Sequence, residues 1–162
     1  MAAWNPMDTT TPMDYFRSLV ASDAQFPLLE AAASLAQVQL PQTDVQSVLA
    51  QVDEWLARLR RRVSKDTDPI AKLRLVNRFF FEELGFAGNV NDYYAPENSF
   101  IHCVIESRRG IPISLAVLWL EMAQGLGLNA QGVGFPGHFL VKVNLPEPHV
   151  GVIVLDPFTG QS

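Results

Sequence analysis

Residues 112–144 read PISLAVLWLEMAQGLGLNAQGVGFPGHFLVKVN, and the spacing of apolar side chains changes half-way along. Up to Met122 the apolar positions go nearly all the way round: Ile113, Leu115, Ala116, Val117, Leu118, Trp119 and Leu120 leave no polar face. A helix of that kind has to be buried, so a core helix is expected to open at Pro112, with Trp119 inside. Gly125 and Gly127 end it. Beyond them the period drops from 3.6 to 2, and residues 131–135 and 138–144 read as strands. A buried helix running straight into antiparallel strands makes the fold class α+β.

Downstream, residues 150–156 form a third alternating segment. The five residues between it and the second, Leu145, Pro146, Glu147, Pro148 and His149, suit a hairpin. The chain stops at Ser162, soon after the turn Asp156, Pro157, Phe158, Thr159, Gly160. A strand that close to a terminus leaves an edge needing cover, so the chain reads as truncated there.

Upstream the pattern is helical. Residues 1–11 lack periodicity and are expected to form a disordered arm. Met13, Phe16 and Val20 suggest a short helix. Ser22 with Gln25 reads as a capping box before an Ala-rich helix, and Thr43 with Gln46 as a second box. The second opens a clear amphipathic helix carrying Val45, Val48, Leu49, Val52, Trp55, Leu56, Leu59 and Val63. Asp68 then caps a helix with Pro69 at its first position, and Gly85 ends it with positive φ. The expected organisation is an arm at 1–11, a helical subdomain at 12–84, and at 85–162 a core of buried helix and sheet. A loop over residues 86–96 and a short helix over 98–108 join the last two.

Composition excludes several functional classes. Apolar residues make up 48% and charged residues 18% of 162, enough to bury a core. At a net charge of −5, no overall field draws in nucleic acid or an anionic membrane. The one dense basic run, Arg58, Arg60, Arg61, Arg62 and Lys65, is flanked by acids and reads as a solvated helix end, with phosphate binding as the alternative. A single cysteine, Cys103, allows neither an internal disulfide nor a CxxC or Cys/His zinc site, and no cofactor or metal is expected. No signal peptide and no run of about 18 apolar residues is present, which makes the cytoplasm the default location.

The order of elements also suggests a chemistry. A buried helix, a strand bearing His138 and a neighbouring strand bearing Asp156 match the layout of the papain and transglutaminase superfamily. In that layout a thiol at the helix N-terminus is acidified, a His holds its proton, and an Asp fixes the tautomer. Adjacent antiparallel strands can bring His138 and Asp156 face to face.

The motifs are more specific. Asn98-Ser99-Phe100, then 109–116 (RGIPISLA), 132–141 (GVGFPGHFLV) and Leu155-Asp156-Pro157-Phe158 together resemble the bacterial Sir-B type regulators, a transglutaminase-like family, over about residues 45–160. The resemblance implies a transglutaminase-like core, followed in the family by tetratricopeptide-like helical repeats that this chain would lack. Catalytic transglutaminases open the core helix with Gly-x-Cys-x-Asp-aromatic-Ala. Aligned by Gly110 and Ala116, that motif puts Pro112 in the nucleophile position, leaving His138 and Asp156 as a relic dyad. Proline has no nucleophilic atom and no N–H.

The expectation is therefore a domain without acyl-transfer chemistry that binds a protein or peptide, in a regulatory role. Tyr93, Tyr94 and Asn98 are candidates for the binding surface. The alternative is a cysteine hydrolase or acyltransferase using Cys103, whose other reading is an inert buried thiol. Ser114 is expected to bond the first helical turn, while His102 and His149 read as exposed and incidental. His138 also fits a purely structural role at its turn.

Overall fold

A computed structural model of the chain describes residues 11–22 and 26–162. Four helices come first: α1 (Pro12–Leu19), α2 (Leu28–Gln39), α3 (Val45–Arg60) and α4 (Pro69–Asn77). The expected arm at 1–11 falls outside the described residues except for Thr11. That residue is ordered, capping α1 in a reciprocal box with Asp14. The Ser22–Gln25 box also lies partly outside, and α2 opens at Leu28 behind Pro27 with no side-chain cap. The α3 cap is Asp44, one residue beyond the expected Thr43. Its carboxylate accepts the Ser47 N–H, while Thr43 is turned inward and buried.

Asp68 caps α4 as read, accepting the N–H groups of Ile70 and Ala71 ahead of Pro69. This helix widens into a π-helix at Arg78–Glu83. The larger turn lets consecutive rings, Phe79 and Phe80, both be fully buried. Gly85 follows at φ +74°. The basic run is largely exposed, as a solvated helix end would be, but some of its arginines are engaged. The Arg58 and Arg62 guanidiniums lie over the Phe79 ring, and Arg62 forks onto Glu83 at 2.6 and 2.9 Å.

The second half mixes helix and sheet. Strand β1 (Ala87–Gly88) and strand β2 (Arg109–Gly110) form a short parallel pair, and a 3₁₀ turn (Pro96–Ser99) and helix α5 (Ile101–Ser107) lie between them. Helix α6 (Pro112–Gly125) is buried along most of its length and packs against α2, α3, α4 and α5. Its remaining side meets a three-stranded antiparallel sheet: β3 (Asn129–Phe135), β4 (His138–Leu145) and β5 (Gly151–Leu155), in that order. Ala130, Val141, Val143 and Leu155 fill the inner face of the sheet, while Val152 and Val154 on the edge strand stay exposed. Leu29, Trp55, Trp119 and Val141 belong to one contiguous apolar cluster, so both halves of the chain share a core.

Candidate functional site

The first turn of α6 forms one end of the site. Pro112 is its first residue, and Ser114 anchors it from within. The buried Ser114 hydroxyl accepts the Ile111 N–H at 3.1 Å and donates to the Asn98 carbonyl at 2.6 Å. Ser114 is thus tied to the opening turn, as read from its position.

Around Pro112 lies a cleft of about 270 Å³ whose lining includes Tyr93, His138, Leu140, Asp156 and Phe158. The structure therefore gathers Pro112, His138 and Asp156, residues from three separate elements, at one place. They do not meet face to face, however. Val141 pairs with Leu155, so Leu140 is the register partner of position 156 and His138 lies two residues along, on the diagonal. The Asp156 carboxylate instead accepts the Phe158 N–H at 2.8 Å, bracing the turn after β5. Among the described residues the exposed His138 ring takes no hydrogen-bond partner.

Aromatic rings make the opposite wall. Tyr93 stands edge-on to Phe158 at 5.8 Å and to Tyr94 at 5.3 Å, and Tyr94 is 92% exposed at the loop tip. Phe158 is held from behind by Gly88, whose N–H donates to the Phe158 carbonyl at 3.2 Å. The ring lies so close over Gly88 that a Cβ there would overlap it.

Asn98 is buried behind this wall. Its amide donates to the carbonyls of Asp92 (2.7 Å) and Tyr93 (2.9 Å), and its own oxygen accepts from the Asn89 amide. With its backbone carbonyl on Ser114, it clamps the Tyr93 loop to the start of α6. Phe158 and Thr159 were not read from the sequence as site residues, although the Asp156-Pro157 turn that presents them was visible.

Cys103 is on α5 and does not line the cleft. Burial pushes its thiol above the usual value, with Glu97 and Glu106 adding to the effect, so it stays protonated at neutral pH. Its sulfur lies 3.4 Å from Nε2 of His102, which is half-buried rather than exposed as expected. His149 is exposed but bonded to Asp68 at 3.0 Å. Among the described residues no group of three or more His, Cys, Asp or Glu comes together. No described helix is long and apolar enough to cross a membrane.

Comparison with known proteins gives the cleft its family. The model of the transglutaminase-like superfamily matches residues 46–162, from α3 through the turn after β5. The chain belongs to the transglutaminase-like superfamily. A UPF0162 protein of Xylella fastidiosa (strain Temecula1) is 39% identical over 138 residues, covering 85% of this chain and 48% of that protein. A UPF0162 protein of Vibrio cholerae is 31% identical over 134 residues, 83% of this chain and 49% of its own. F-box only protein 21 of Homo sapiens is 41% identical over 70 residues, which is 43% of this chain but 11% of that protein. The chain spans about half the length of the UPF0162 relatives it matches. No solved structure matches.

Proposed function

We propose that this transglutaminase-like domain is non-catalytic and uses the cleft around Pro112 to bind a protein or peptide segment, in a regulatory role. The observation that carries this reading is Pro112 itself, which lines the cleft with His138 and Asp156 and offers no nucleophile. Triad enzymes stripped of their nucleophile keep only about 10³–10⁴-fold of their rate enhancement over water. The aromatic wall of Tyr93 and Phe158 and the uncommitted His138 ring suit recognition of an apolar or hydrogen-bonding side chain. A similar stretch makes up 11% of F-box only protein 21, in keeping with a module that works beside others.

The motif order further supports placing the chain among the Sir-B type regulators, and with no signal-peptide pattern in its sequence the cytoplasm is its proposed location. The extra length of the UPF0162 relatives leaves room for the helical repeats of that family.

The test combines intact mass spectrometry with NMR. Incubation with glutamine-containing peptides or activated esters should leave the mass unchanged, while peptide binding shifts the resonances of Tyr93, His138 and Phe158. A covalent adduct on Cys103 that disappears in a His138→Ala background would overturn the non-catalytic reading.

A further inference from the structure

Phe158 and Thr159 border two cavities at once. One is the cleft of Pro112 and His138. The other, across the same turn, is a groove of about 520 Å³ lined also by Arg74, Asn77, Arg78, Glu82, Phe81 and Phe86. Arg74 and Arg78 are exposed, and among the described residues neither guanidinium has a hydrogen-bond or ion-pair partner. Their surroundings make that unusual. Arg62 is occupied by Glu83, Arg58 lies over Phe79, and Arg108 lies over Trp55 and Phe86. Glu83, the acid nearest Arg78 in effect, is already held by Arg62. Asn77 gives its oxygen to the Trp119 indole at 2.9 Å, and its amide N–H groups take no described partner.

The spacing selects the shape of the ligand. At about 1.5 Å of rise per residue, Arg74 and Arg78 stand roughly 6 Å apart along the helix axis. Alternate residues of an extended chain repeat every ~6.6 Å and project from the same side. Glu82 lies one turn further on, so the local field reverses there.

We propose that this groove receives an extended peptide with acidic residues at alternate positions, one carboxylate on Arg74 and the next on Arg78. Asn77 donates to a backbone carbonyl between them. An apolar residue then crosses Phe158 into the Pro112 cleft. This rests on the reading of that cleft as a peptide site and specifies the chemistry of its ligand. With a net charge of −5 the chain as a whole disfavours an acidic partner, so a local pair of exposed arginines adds selectivity for how the segment lands.

The probe is a fluorescein-labelled peptide with Glu-Leu-Glu ahead of a phenylalanine, titrated by anisotropy against the 162-residue chain. Its control carries glutamine in place of both glutamates. The acidic peptide should bind more tightly than the control and weaken as salt rises. It should lose roughly tenfold in the Arg74→Ala/Arg78→Ala double variant, as two exposed ion pairs near the upper end of their range allow. Glu82→Gln should tighten it. Circular dichroism checks that the variants are folded. Equal binding of both peptides, or no loss in the double variant, overturns the acidic-ligand inference while leaving the cleft reading in place. Displacement of the peptide by inorganic phosphate at equal concentration overturns it in favour of a small-anion site. Failure of both peptides to bind, with no NMR shifts at Tyr93 or His138, overturns both.

Discussion

The two ends of α6 obey different rules. From Leu115 to Ala123 the helix is packed on all sides, and Trp119 is fully buried with its indole bonded to Asn77. At the other end Pro112 lines an open cleft and Ile113 is 50% exposed. The helix is therefore closely packed over its middle turns, while its first turn opens onto the cleft. In this chain apolar burial holds the helix in place, and Ser114 and Asn98 hold its first turn.

The largest expected effect lies at the packed end. Trp119→Ala should cost on the order of 3–5 kcal/mol, the usual range for a truncated core aromatic, and would also strand the Asn77 oxygen. A denaturation midpoint equal to that of the parent chain would show that the two ends do not differ.

Asn98→Ala tests the clamp between them. It removes side-chain bonds to Asn89, Asp92 and Tyr93, and should cost about 2–3 kcal/mol while speeding hydrogen exchange in the 89–95 loop. Unchanged exchange there would mean that the loop is held by something else.

Pro112→Cys probes the open end directly. A thiol at a helix N-terminus beside His138 should titrate below ~7.5, whereas a value near the ~8.5 of a free cysteine would count against aligning Pro112 with the nucleophile position. By contrast Cys103, already protonated through burial, should alkylate slowly at neutral pH, and Cys103→Ala should leave peptide binding unchanged.

The smallest effect concerns the hairpin. Burial raises the Asp68 carboxyl, but the N–H groups of Ile70 and Ala71 together with His149 outweigh it and hold the group below its ordinary value. Its stabilisation is therefore present above the unfolded value of ~3.9 and is lost as pH falls through the lower folded value. The stability gap between the parent and Asp68→Asn should shrink on acidification. A gap that widened toward acid would reverse the assignment.

What the sequence made legible was local or periodic. The burial of α6, the Asp68–Pro69 start and the positive φ at Gly85 all follow from residues within a turn or two of each other. His138 and Asp156 were singled out from the order of elements and the motifs around them, and both line the cleft. Their diagonal offset was not, since it depends on Val141 pairing with Leu155, a register set across two strands. The β1–β2 pair joins residues about twenty positions apart through two rungs, too short to leave a pattern. The Asn98 clamp is likewise a tertiary fact, because a lone asparagine near a helix start reads equally well as a turn residue. The cap of α3 moved from Thr43 to Asp44 because two adjacent residues can both cap, and burial of Thr43 decided between them.

Gly88 restricts the order in which this protein can change. Any residue larger than glycine there must first displace the Phe158 ring, and that ring is shared by both cavities. Growth at position 88 therefore cannot come before loss or repositioning at 158. A lineage in which the two cavities have merged would be expected to show the change at Phe158 as the earlier step.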